Sequence, residues 1–109
     1  MAIAHPGLSS LKRYMKTRFA WGLPWHCEMT GEVFTAEQVR QALDQVKLHF
    51  PSEQYALLGY CWLSYRTRTE IADSQYLDPS TVKRSWDRLM HYLKIQLSYS
   101  EQIAEVTNV

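Results

Sequence analysis

Four histidines and two cysteines carry the ligand and nucleophile chemistry of this chain, and their spacing limits what they can do. His26 and Cys27 are adjacent, whereas His49, Cys61 and His91 are scattered. A structural zinc site needs ligand pairs about a helical turn or a tight loop apart, so that two donors reach one ion. The spacing therefore predicts no metal site and no other cofactor. Cys27 or Ser64 acting as a nucleophile would need a base and a group to orient it, and the chain has no nucleophile elbow. Its four glycines are not clustered, which argues against a nucleotide cradle. No catalytic residues are expected, and Cys61 reads as a small buried hydrophobe. The chemistry left is that of cations and hydroxyls, which suits phosphate.

That chemistry is unevenly distributed. The 109 residues carry 12 Lys and Arg against 11 Asp and Glu, a net charge of +1. Residues 1–27 hold +4, residues 28–65 hold −3, residues 66–94 hold +2 and the tail holds −2. Two basic segments could bind phosphate together if the fold brings them side by side. Otherwise they form an ordinary mixed surface. The length suits one domain, or one domain with an arm. No apolar run reaches membrane-spanning length and the start lacks an export signal, so a cytoplasmic protein with reduced thiols and no membrane contact is expected.

The elements that must position these residues are helical. Residues 1–10, with Pro6 and Gly7, read as a flexible start. Leu11, Tyr14, Met15 and Phe19 predict a short helix to Trp21, broken by Gly22 and Pro24. Thr35 and Gln38 form a capping box before a helix whose stripe is Val39, Ala42, Leu43, Val46 and Phe50, ended by Pro51. Ser52 is the expected cap of a third helix, with Tyr55, Leu58, Gly59, Trp62 and Leu63 along one face. A short helical segment around Glu70, Ile71 and Ala72 follows. Asp78 then caps a last helix with Pro79 at its first position and Val82, Trp86, Leu89 and Leu93 inward, reaching about Leu97. No alternating run supports a strand. The expected fold is all-α, with residues 1–34 as a basic aromatic arm or short helix on the core. Residues 35–109 form a small helical domain with a C-terminal helix-turn-helix at 66–97, in which Leu77 plugs the turn.

The stretch Glu70-Ile71-Ala72, Leu77, then Thr81-Val82-Lys83, with Arg88, Leu89 and Leu93 beyond, resembles the helix-turn-helix of sigma factor region 4 and of related response-regulator domains. It covers about 40 of the 109 residues. Tyr76 stands where those families usually have Gly, and a left-handed backbone there costs Tyr roughly 1 kcal/mol more than Gly. Trp21-Gly22 and the stretch Leu57–Ile103 give a looser similarity to the Q-type antitermination proteins of lambdoid phages. That similarity implies DNA binding near a late promoter and loading onto paused RNA polymerase. The zinc element of some members is not implied, because the chain has no CxxC pair.

A helix-turn-helix reads base edges with the first turns of its second helix. Ser80, Thr81, Lys83, Arg84 and Asp87 are the readout candidates, Arg88 is a further outward DNA-binding candidate, and Lys83 and Lys94 lie on a flank. Arg84 suits guanine, and Asp87 suits cytosine or orients Arg84. Arg66, Arg68 and Thr69 are placed to touch the phosphate backbone. In the arm, Lys12, Arg13, Lys16, Trp21 and Trp25 are candidates for contact with a partner, RNA polymerase included, although core closure is the simpler role for both tryptophans. The expected function is a DNA-binding transcription regulator of phage or prophage type, acting with RNA polymerase on double-stranded DNA in the bacterial host cytoplasm. The alternative is a helical interaction module that binds a polymerase or nuclease partner without DNA. Whether the tail beyond Ser98 extends the helix, makes a homodimer or frays is left open.

Overall fold

The structure, a computed structural model, describes residues 7–27, 31–62 and 67–107. Five α-helices dominate: α1 Leu8–Thr17, α2 Ala36–His49, α3 Gln54–Leu57, α4 Arg68–Gln75 and α5 Pro79–Thr107. α1 begins three residues earlier than expected, within the stretch read as flexible. Gly7 at its start has φ +82°, and a Cβ there would sit 2.6 Å from Cys27 Sγ, so only glycine fits without a shift. Leu11, Tyr14 and Met15 form the buried stripe of α1.

Two strands correct the all-helical expectation. β1 Trp25–His26 pairs antiparallel with β2 Val33–Phe34, in the register Trp25 to Phe34 and His26 to Val33. Strands this short carry no alternation to read. Their purpose in the core is plain: Trp25 and Phe34 point inward and stack, centroids 5.6 Å apart at 16°.

α2 starts as the sequence implied. Gln38 N–H donates to Thr35 Oγ1 at 3.1 Å, and Thr35 N–H donates back to Gln38 Oε1 at 2.8 Å. Val39, Ala42, Leu43 and Val46 are buried. The third helix differs from expectation. A 3₁₀ turn at Pro51–Glu53 leads into the short α3, which widens into a π turn at Leu58–Trp62. The buried face is accordingly Ala56, Leu57, Tyr60 and Cys61, while Tyr55 is half-buried and shares a 2.8 Å hydrogen bond with Ser85. Gly59 is where the π turn meets α4: a Cβ there would lie 2.6 Å from Ile71 Cδ1.

α4 opens on a second capping box, Thr67 with Glu70, and buries Ile71 and Ala72. It closes on Tyr76 in the left-handed region (φ 55°, ψ 42°), with Leu77 N–H reaching back to Ala72 O at 2.9 Å, a Schellman-type stop. Leu77 is 37% exposed and does not plug the turn; the stop is made by backbone hydrogen bonds instead. Asp78 Oδ1 accepts from Ser80 N–H at 3.0 Å and caps α5, whose 29 residues run past the expected end at Leu97. Val82, Trp86, Leu89, Met90, Leu93 and Leu97 line its buried side, against which α1, α2, α3 and α4 all pack. Side chains from α1 to α5 and from both strands share one buried cluster. Among the described residues, no helix is long and apolar enough to cross a membrane.

Candidate nucleic-acid interface

The two basic segments of the sequence meet in space. Lys12 Nζ of α1 pairs with Asp87 Oδ1 of α5 at 2.7 Å. One turn along α1, Lys16 Nζ lies 4.6 Å from the ring centroid of Tyr60 and 5.7 Å from that of Trp86. Those two rings are themselves packed at 4.6 Å. Arg68, in the first turn of α4, lies near enough to Tyr60 to oppose the rise that burial imposes on the Tyr60 phenol. Partial burial, first, and then the charges of Lys12 and Arg68 hold the Lys16 ammonium below its ordinary pKa. Lys12, Lys16 and Arg68, cations from two separate helices, thus lie near one another, with Lys16 over the aromatic pair and Asp87 as the carboxylate among them. Such a cluster gains from a phosphate that relieves the repulsion.

At 100° per residue, Lys83 lies one turn before Asp87 on the same stripe of α5 and extends this cationic face toward the helix start. Lys83 is exposed and has no ion pair among the described residues. Arg84 is exposed and, among the described residues, reaches only Thr81 Oγ1, at 3.4 Å. Ser80 is exposed but engaged in the cap, its hydroxyl donating to Asp78 Oδ1 at 2.9 Å. These two donations, backbone first, hold the Asp78 carboxyl below the usual carboxylate range. Thr69 is exposed beside Arg68. Arg66 lies outside the described residues.

Other expected positions fall elsewhere. Asp87 is bound to Lys12 and not to Arg84, because α1 crosses that edge of α5. Arg88 lies on the opposite edge and pairs with Glu53 Oε1 at 3.4 Å. Lys94 is not a flank residue: it is 8% exposed, 3.7 Å from Glu32 Oε2, and covered by the β1–β2 hairpin. Of the arm residues, Lys12 and Lys16 join the face just described, and Arg13 borders a separate cavity. Trp21 is 74% exposed, whereas Trp25 is 2% exposed in the core, its indole donating to Ser10 Oγ at 3.1 Å.

Thr67, Tyr60 and Glu53 also help position these side chains and are not among the site residues expected from the sequence. Thr67-Arg68-Thr69-Glu70 is a readable capping-box pattern that fixes where Arg68 emerges. Nothing in the spacing pointed to Tyr60 under Lys16, since their contact depends on how the π turn meets α1. Cys61 is buried, and burial pushes its thiol up to about 12, so it supplies no thiolate at neutral pH. Among the described residues, no three His, Cys, Asp or Glu side chains converge as metal ligands. No protein family, curated protein or solved structure matches this chain, so the chemistry of the face has to be read from its own residues.

Proposed function

We propose that this chain is a DNA-binding transcription regulator in which α4, the Tyr76 turn and α5 act as a helix-turn-helix resembling sigma factor region 4. The observation that carries the reading is the start of α5: a capped helix end, set off from α4 by a tight turn, with Lys83 and Arg84 exposed on it. The first turns of α5 enter the major groove, where Arg84 suits the two acceptors of guanine. Arg68 and Thr69 at the start of α4 take the phosphates on one side of the groove. Lys12 and Lys16 of α1 add phosphate contacts that an isolated two-helix motif lacks. By resemblance to Q-type antitermination proteins, the regulator is of phage or prophage type. It works beside RNA polymerase in the bacterial cytoplasm, by antitermination or by activating late genes, and carries no catalytic group.

The test is a double substitution. Lys83→Glu with Arg84→Glu abolishes binding to duplex DNA and leaves the melting temperature nearly unchanged, because both side chains are exposed. Loss of the fold in that variant sinks the surface assignment.

A second reading has its own support in two exposed aromatics, Trp21 at 74% and Tyr76 at 96%. Exposed aromatics anchor protein interfaces. In that reading the chain is an interaction module on a polymerase or nuclease and binds no DNA. Trp21→Ala then weakens one tight protein partner, and duplex DNA has no measurable affinity even at low salt.

A further inference from the structure

A cavity of about 490 Å³ opens between α1 and β1, on the far side of α1 from Lys12 and Lys16. Helical spacing places Ser10, Arg13, Tyr14 and Thr17 along one ridge of α1 as its wall, with Arg18 just past the helix end. Trp25 and His26 of β1 close the other side. Among the described lining residues there is no carboxylate. The side chains of Arg13, Arg18 and His26 have no ion pair among the described residues.

The hydrogen-bond inventory makes the cavity selective. Ser10 Oγ accepts from the Trp25 indole at 3.1 Å, and among the described residues its own O–H has no acceptor, so it can donate into the cavity. Thr17 donates to Arg13 O at 2.7 Å, which leaves its oxygen able to accept from a ligand hydroxyl. The Tyr14 hydroxyl is spent on Leu23 O at 2.6 Å. Two guanidiniums, an imidazole and a serine O–H therefore face one volume, and guanidinium geometry matches a phosphate fork to fork. Base stacking is poorly served, because Phe34 stacks on Trp25 and the indole is only 2% exposed. The volume falls in the range of small-molecule sites, about 300–1,000 Å³, well above what a bare phosphate fills.

We propose that the cavity lined by Arg13, Arg18, His26, Ser10 and Thr17 binds a phosphate monoester on a hydroxylated carrier the size of a nucleotide or sugar. The phosphate meets the two arginines, His26 and Ser10, and a carrier hydroxyl donates to Thr17. The carrier is either a free nucleotide or the terminal phosphorylated nucleotide of a strand.

Calorimetric titration with AMP, adenosine, inorganic phosphate, and a tetranucleotide with or without a 5′-phosphate tests this. AMP binds, adenosine binds at least tenfold more weakly, and inorganic phosphate competes with AMP. Arg13→Gln with Arg18→Gln lowers AMP affinity at least tenfold while the thermal unfolding curve is kept, since both arginines are exposed. Thr17→Val weakens AMP but leaves inorganic phosphate unaffected, which separates carrier from oxyanion recognition. A 5′-phosphorylated tetranucleotide that binds as AMP does, with its unphosphorylated twin silent, identifies a strand end as a source; binding of AMP alone identifies the free nucleotide. Equal binding of AMP and adenosine, or unchanged AMP affinity in the folded double variant, overturns the proposal. The Lys83→Glu, Arg84→Glu variant retains full AMP binding, so failure of the α5 reading and failure of this one are told apart.

Discussion

Tyr76 holds a left-handed backbone, the only non-glycine among the described residues to do so, yet its ring is 96% exposed and contributes nothing to the core. Glycine would hold the same turn with less strain. Tyr76→Gly is therefore expected to raise stability by about 0.5–1 kcal/mol in denaturant titration, after allowing for the entropy that glycine loses on folding. A strained, exposed aromatic in the turn is consistent with a contact outside the chain, so the same variant is expected to bind its target less well. Asp87 offers a second residue-scale test. Its carboxylate sits within the cation cluster and is held by Lys12. Asp87→Ala frees Lys12 and is expected to tighten non-specific duplex binding severalfold at low salt, as read by fluorescence anisotropy. A loss confined to particular base sequences would instead assign Asp87 to base readout. The outward direction of Arg84 was legible from the 100° step along α5. The fates of Asp87 and Arg88 were not, because their partners Lys12 and Glu53 lie 75 and 35 residues away in sequence.

At the scale of elements, what carried a local signal was readable. The Thr35 capping box, the stripe of α2 and the Asp78-Pro79 start of α5 each follow from chemistry within one turn, and each is present. The π turn was not readable, because its register is set by tertiary packing: Gly59 lies against Ile71 of α4, where a side chain would collide. Gly59→Ala is expected to destabilise by about 1–3 kcal/mol through overpacking. Ile71→Val in the same chain is expected to recover part of that loss, and a chemical denaturation double-mutant cycle measures the recovery. Independent, additive effects would contradict the contact. The β1–β2 pairing was equally hidden, since two-residue strands have no period and owe their place to the Trp25–Phe34 stack.

For the molecule as a whole, one core joins α1 to α5 and both strands, so the basic first helix is not a detachable arm. Leu11, Tyr14 and Met15 are buried with α5, and that docking is what carries Lys12 and Lys16 to α4 and α5. The 50 Å long axis reflects the 29-residue α5 that spans the fold. Two buried acids give the core a pH dependence. Burial raises the Cys61 thiol from 9.0 to about 12 and the Tyr14 phenol from 10.0 to about 12. The unfolded chain therefore releases these protons first, so it binds fewer protons than the folded one between those values. Stability falls as pH rises in that window. Thermal melts are expected to hold from pH 7 to about 9 and to drop progressively toward pH 12, with a smaller drop in Cys61→Ala. A melting temperature that rises with alkali would contradict the burial of both groups. Sequence could place cations in two segments; only the packing of α1 across α5 turns them into one face.

The composite face is proposed to grip duplex DNA, and a salt series tests this most directly. Binding of the full chain to mixed-sequence duplex, measured between about 50 and 200 mM salt, is predicted to give a log–log slope of about −3 to −5. Each phosphate contact contributes about −0.9, and Lys16, Arg68, Lys83 and Arg84 contribute in full, with Lys12 in part because Asp87 holds it. Lys83→Gln is predicted to make the slope shallower by about one. Binding that ignores salt, no binding at low salt, or a slope unmoved by Lys83→Gln would contradict the account.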